Sequence, residues 1–161
     1  MNLVEKYNYP SLKRFNNSGK RLYNTPSGNL PSVTTILDRT KDKTFLVEWR
    51  KRVGEEEATR ITKEASGLGT MFHKHLENYI LNKPHPSGNN FVYKLAEEMS
   101  DVVIEKGLIN VNEIWGSEIS LYYPDLYAGT TDLVGVHNGD PAIMDYKSTT
   151  RPKKEEWVED Y

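Results

Sequence analysis

GTTDLVGVHNGDPAIMDYKSTT, residues 129–150, reads as two β-strands joined by a two-residue turn at Asn138-Gly139. An Asn-Gly pair between β-rich runs is a strong hairpin signal, because a type I′ turn needs positive φ at both central positions. Counting outward from that loop, His137 faces Asp140 and Val136 faces Pro141. The same count sets Asp132 directly opposite Asp145 and Thr130 opposite Lys147. Side chains alternate along a strand, so Asp132, Asp145 and Lys147 share one face of the ribbon.

Directly opposed residues have Cβ atoms about 5 Å apart, where like charges repel. Either one aspartate keeps its proton at neutral pH, or a cation sits between the two. A hard divalent ion, Mg²⁺ or Mn²⁺, suits paired carboxylates with retained waters. The competing reading is a surface hairpin whose acids face solvent and are satisfied by Lys147. Against it, DLVGV and AIMD are apolar enough for central strands, where unpaired acids are costly.

Composition bounds the rest. The 161 residues suffice for one domain with a core, and 37% hydrophobic with 27% charged content is ordinary for a globular chain. No apolar run approaches the roughly 20 residues of a membrane span. The N-terminus, MNLVEKYNYPSLKRF, lacks the features of a secretion signal or transit peptide. The absence of cysteine excludes disulfides, zinc-thiolate sites and iron–sulfur clusters. An intracellular, cytoplasmic protein is therefore expected, in a bacterial or phage-infected cell. The net charge of −2 gives no global argument for nucleic acid, although LKRFNNSGKRL, WRKRV and STTRPKK are locally basic.

Upstream, SLKRF and RLYNT form a hairpin around NNSGK. Ser32 is placed to cap a short helix, and TFLVEWRKRV has Phe45, Leu46 and Trp49 at helical spacing. Residues 55–82 carry a stripe of Ala58, Ile61, Ala65, Leu68, Phe72, Leu76, Tyr79 and Ile80, with a kink or break expected at Gly67–Gly69. Residues 89–106 continue through Phe91, Leu95, Met99, Val102 and Val103. SEISLYY, AGTTDLVGV and PAIMDYKS are the strands, and KKEEWVEDY is helical in character. Helices followed by strands imply an α+β fold with a small central mixed sheet flanked by helices. The expected organisation is one domain over 1–161: hairpin and helices to 106, site-bearing strands over 117–149, and an incomplete helix over 153–161.

Asp132 followed by Asp145-x-Lys147 after an apolar run resembles the PD-(D/E)xK nuclease superfamily. A second element agrees: GTMFHKHLE resembles the helical Gly-Thr-x-x-His-x-x-x-Glu segment of RecB-like exonucleases. LPSVTTIL and WRKRVGEEEA also look like the opening of the branch that contains the mitochondrial genome maintenance exonuclease and its phage and bacterial relatives. The resemblance spans roughly residues 30–161. It implies a restriction-endonuclease-like core and metal-dependent hydrolysis of DNA, single-stranded or with a free end, in replication, repair or phage recombination.

Carried over residue by residue, the resemblance makes His73, Asp132 and Asp145 the metal ligands, with Asp132, Asp145 and Lys147 catalytic. Glu77, one turn after His73, is placed to orient it, while His75 points elsewhere. Lys147 either positions or deprotonates the attacking water. Arg50, Arg52, Arg151 and Lys153 are candidates for phosphate contacts, joined by Thr70 and Ser148 beside the two motifs. Tyr122, Tyr123, Tyr127 and Trp157 are candidates for base stacking. Glu118 is as readily an edge-strand surface acid as a ligand and stays outside the core set. One departure stands out. RecB-like nucleases carry a Gln-x-x-x-Tyr motif after the Asp-x-Lys strand, and this sequence reaches Tyr161 without it. The expected core is thus truncated at its C-terminus, and an inactive or incomplete nucleic-acid-binding relative is the alternative.

Overall fold

Residues 2–149 are described in a computed structural model. Arg151, Lys153, Trp157 and the helix expected over 153–161 lie outside the described residues. The architecture is α+β, with a mixed four-stranded sheet and four α-helices among the described residues.

Strand β1 (Asn2–Leu3) is followed by a three-stranded antiparallel sheet of β2 (Lys13–Asn17), β3 (Lys20–Thr25) and β4 (Gly28–Pro31). The β2–β3 hairpin closes through Ser18 and Gly19 at φ 50° and 75°, the positive values a two-residue loop requires. Helix α1 (Val33–Thr40) starts where the sequence indicates, because the Ser32 hydroxyl accepts the Thr35 N–H at 3.0 Å. Helix α2 (Thr44–Val53) follows, then α3 (Glu55–Ile80) and α4 (Phe91–Val102), the last extended by one π turn over Val103–Gly107.

Helix α3 runs unbroken through Gly67–Gly69, contrary to the expected interruption. Each glycine costs about 1 kcal/mol relative to alanine. That cost is small beside the burial of Phe72, Leu76 and Ile80 immediately downstream. The expected stripe of α4 holds in part: Leu95, Met99 and Val103 are half-buried, with Met99 and Val103 on the core, whereas Phe91 and Val102 are exposed and Ala96 and Ser100 are the residues fully buried. The helix turns its small residues toward α3, where the Ser100 hydroxyl lies 3.4 Å from the Phe72 carbonyl.

Strand β5 (Val111–Tyr123) begins earlier than the SEISLYY segment suggests and pairs antiparallel with β6 (Tyr127–His137). Strand β7 (Asp140–Met144) completes the sheet, in the order β1-β5-β6-β7, with β1 parallel to β5. The turn at Asn138 and Gly139 has φ 51° and 90°, and His137 faces Asp140 and Val136 faces Pro141 as counted from sequence. Two register shifts in β5 press Gly135 of β6 so close to the neighbouring strand that a Cβ there would stand 2.1 Å from the Glu113 carbonyl oxygen.

The main core joins Phe72, Leu76 and Ile80 of α3 to Ala96 of α4, Ile114 of β5 and Leu133 of β6, with Tyr146 beyond β7. A smaller core of Tyr23, Leu30 and Ala128 seats the N-terminal sheet against β6. The Tyr23 hydroxyl lies 3.0 Å from that of Thr130, and Ser32 bridges to Ala128. These contacts hold the N-terminal sheet and α1 beside the β5–β6 hairpin, and residues of all three line one cleft. No helix among the described residues is long and apolar enough to cross a membrane.

Candidate metal centre and its cleft

Three elements deliver the site. Asp132 lies on β6 and is buried. The pairs Ser117–Leu133 and Ile119–Thr131 bracket Glu118 of β5 opposite it. Two carboxylates therefore face each other across a central ladder, the like-charge arrangement that costs energy unless compensated. Glu118 sits at φ 51°, a left-handed conformation that a non-glycine residue adopts only when its surroundings impose it.

Helix α3 supplies the third group. Leu76 and Phe72 anchor its buried face, and His73 projects beside them toward the strands. His73 Nδ1 lies 3.3 Å from Asp132 Oδ1 and 3.4 Å from Glu118 Oε1. One ligand atom from each of His73, Glu118 and Asp132 falls within 4.8 Å of the other two. On its opposite edge, His73 Nε2 lies 3.1 Å from the Tyr146 carbonyl oxygen. An imidazole with acceptors on both edges favours its doubly protonated form. Hydrogen bonding to Asp132 and then to Glu118 accordingly pushes the His73 pKa up from 6.5 to about 10.

Burial alone would raise the Asp132 carboxyl, but His73 and the Tyr146 N–H outweigh it and hold the pKa below its usual value. That N–H donates to Oδ2 at 2.7 Å. Tyr146 itself is pushed up, mainly by burial and then by the charges of Asp132 and Glu118.

The ladder between β6 and β7 ends at Leu133–Met144, one residue short of the expected Asp132–Asp145 opposition. Past Met144 the chain instead presents the Tyr146 amide to Asp132. Asp145 is exposed and paired with Lys147, whose Nζ lies 2.6 Å from Oδ2. Both still line the same cleft as His73, Glu118 and Asp132. The structure thus brings His73 and Asp132 together as the spacing suggested, adds Glu118, and sets Asp145 and Lys147 at the rim. Glu118 was visible only as an acid in a strand. Its partnership with Asp132 depends on the β5–β6 register, which the irregularities of β5 hide from a residue count.

The remaining expected residues are dispersed. Arg50 is engaged with Glu55 and with Thr59, and neither Arg50 nor Arg52 lines the cleft. The Thr70 hydroxyl donates to the Ser66 carbonyl at 2.9 Å within α3. Ser148 is exposed beside the cleft-lining Lys147. Glu77 pairs with Lys74 at 2.8 Å and with Lys83 at 3.7 Å rather than orienting His73. His75 is buried and directed toward His85, away from the centre.

The cleft holds about 1100 Å³. It is lined by the histidine and the acids together with Arg14 and Arg21 of the N-terminal sheet, Leu37 of α1, and Tyr122, Tyr123 and Tyr127 of the hairpin.

A histidine and two carboxylates converging at the base of an open cleft define a candidate divalent-cation centre on an α+β scaffold. The nitrogen and oxygen donors fit such an ion. The chain is a distant homologue of mitochondrial genome maintenance exonuclease 1. It is 26% identical to the Mus musculus protein over 133 residues, covering 78% of this chain and 38% of the relative. The Homo sapiens protein gives 26% over 132 residues, 77% of this chain and 38% of the relative. The chain therefore spans well under half the length of these curated relatives. No protein-family model matches it.

Proposed function

We propose that this protein is a divalent-cation-dependent exonuclease that hydrolyses phosphodiester bonds in DNA, single-stranded or with a free end. Its residues 1–161 form one nuclease-like domain on a restriction-endonuclease-like core, acting inside the cell in replication, repair or phage recombination. The observation that carries this reading is the convergence of His73, Glu118 and Asp132 in a cleft of a chain related to an exonuclease.

His73, Glu118 and Asp132 would hold Mg²⁺ or Mn²⁺, with Asp145 as a further acid at the rim. The Tyr146 carbonyl accepts from His73 Nε2–H, so a cation would be met at Nδ1, in place of the proton held there against the carboxylates. The Tyr146 amide holds Asp132 Oδ2, so the carboxylate is oriented before any ligand arrives. A bound cation supplies a more acidic water and offsets charge on the scissile phosphate. Lys147, exposed beside Asp145, orients or deprotonates that water once released from its ion pair.

The test is end-labelled single-stranded DNA incubated with the protein in Mg²⁺, Mn²⁺ or EDTA, beside Asp132→Ala and Lys147→Ala. Shortening of the label only with metal, and lost in both variants, is the expected result. Equal cleavage by wild type and Asp132→Ala would overturn the assignment. The engagement of Lys147 by Asp145 outside the cluster favours one second reading, a nuclease-like nucleic-acid-binding module without turnover. A wild type that binds DNA in either condition and cleaves in neither would establish it.

A further inference from the structure

At the far end of the β5–β6 hairpin, Tyr123 and Tyr127 are directly paired across the ladder, with rings stacked at 5.9 Å between centroids and 30° between planes. They flank the three-residue loop Pro124-Asp125-Leu126, held by Asp125 at φ 62° and the Leu126 N–H to Tyr123 carbonyl bond. Cross-strand aromatic pairs stabilise hairpins, but such a pair gains most when buried. This one is not: Tyr123 is 57% and Tyr127 40% exposed, and both rings line the cleft that contains His73 and Asp132. Tyr122, paired with Ala128 next along the ladder, packs against the smaller core.

Arg14 of β2 and Arg21 of β3 line the same cleft. Neither guanidinium has a carboxylate within ion-pair distance among the described residues. Asp38, the cleft acid on α1, is already paired with Lys43 at 2.9 Å. The cleft therefore combines exposed aromatic faces with cations that have no acidic partner among the described residues.

We propose that the Tyr123–Tyr127 pair, with Arg14 and Arg21 of the same cleft, is a single-strand docking platform that holds unpaired DNA bases by stacking at a distance from the metal centre. The inference rests on the nuclease reading of the cleft and names where the strand is gripped. From Glu118 to Tyr123 is five residues, about 17 Å of extended chain. That equals roughly five nucleotides at a stacked rise of 3.4 Å. Bases inside a duplex present no free face to the tyrosines, so the platform selects single strands, and stacking makes the grip independent of sequence. Arg14 and Arg21 meet the backbone phosphates.

The experiment measures binding of fluorescein-labelled dT20, and of a 20-base-pair duplex, in EDTA, where cleavage does not intervene. Proteins are the wild type and the Tyr123/Tyr127 double variants to Phe, to Leu and to Ala, each checked for fold by circular dichroism. Phe at both positions keeps wild-type affinity, whereas Leu and Ala each weaken dT20 binding about tenfold or more. Arg14→Gln with Arg21→Gln lowers the slope of log affinity against log salt by about 0.7 per residue. Leu variants that bind as tightly as wild type would remove stacking as the cause. Duplex bound as tightly as dT20, or no binding of dT20 by wild type, would overturn the platform altogether. Metal-dependent cleavage is scored separately: a wild type that cleaves with unchanged Ala-variant binding loses the platform but keeps the nuclease reading. Tyrosine-dependent binding without cleavage keeps the platform and rejects the nuclease reading.

Discussion

The backbone N–H of Tyr146 donates to Oδ2 of Asp132 at 2.7 Å, while Oδ1 of the same carboxylate faces His73. One oxygen is held by structure and the other is left for chemistry. Asp132→Asn keeps an acceptor for the Tyr146 amide but removes the charge. The variant is expected to fold, with a Tm within a few degrees of wild type, while cation affinity falls about a hundredfold or more. Thermal melts with and without Mn²⁺ check both halves; equal metal-induced shifts in the two proteins would refute the ligand role.

The His73 contact predicts a pH dependence in chelator. Its pKa is about 10 folded against 6.5 in an unperturbed chain, so its contribution is complete below 6.5 and fades as pH rises toward 10. Asp132 behaves oppositely, being held below 3.8, so its contribution is present above that pH and lost as acid is added. The Tm difference between wild type and His73→Gln should be widest between these limits and narrow from pH 6.5 to 10. Groups titrating identically in both proteins cancel in the difference. A gap that widens with alkali would contradict the imidazolium assignment.

Asp145 and Lys147 pair with side chains 57% and 56% exposed, so their mutual attraction is worth less than about 1 kcal/mol. Asp145→Asn and Lys147→Met should leave urea midpoints almost unchanged yet abolish cleavage. Loss of both stability and activity would place these residues in the fold rather than the chemistry.

Gly135 tests the bulged β5–β6 pairing that aligns Glu118 with Asp132. A Cβ there would meet the Glu113 carbonyl oxygen at 2.1 Å, and backbone has no rotamer with which to retreat. Gly135→Ala is expected to destabilise by about 1–3 kcal/mol and to reduce metal affinity by displacing β5. Urea denaturation measures the first effect and metal-induced Tm shifts the second; an unchanged midpoint would show that the strands part freely.

Sequence alone determined the local devices: the Asn138-Gly139 turn, the Ser32 cap, the helical spacing that points His73 off the buried face of α3, and the α+β order of elements. Each depends on residues within a turn or two of one another, where φ preferences and periodicity suffice. Tertiary structure decided the rest. Helix α3 crosses its glycines because packing downstream outweighs their local cost, and α4 chooses its inner face by what α3 can accept. Asp132 gains Glu118 as a partner because irregularities in β5 set the register, and Asp145 turns outward because the ladder ends at Met144. Both outcomes arise from backbone pairing between segments distant in sequence, whose alignment no single strand encodes.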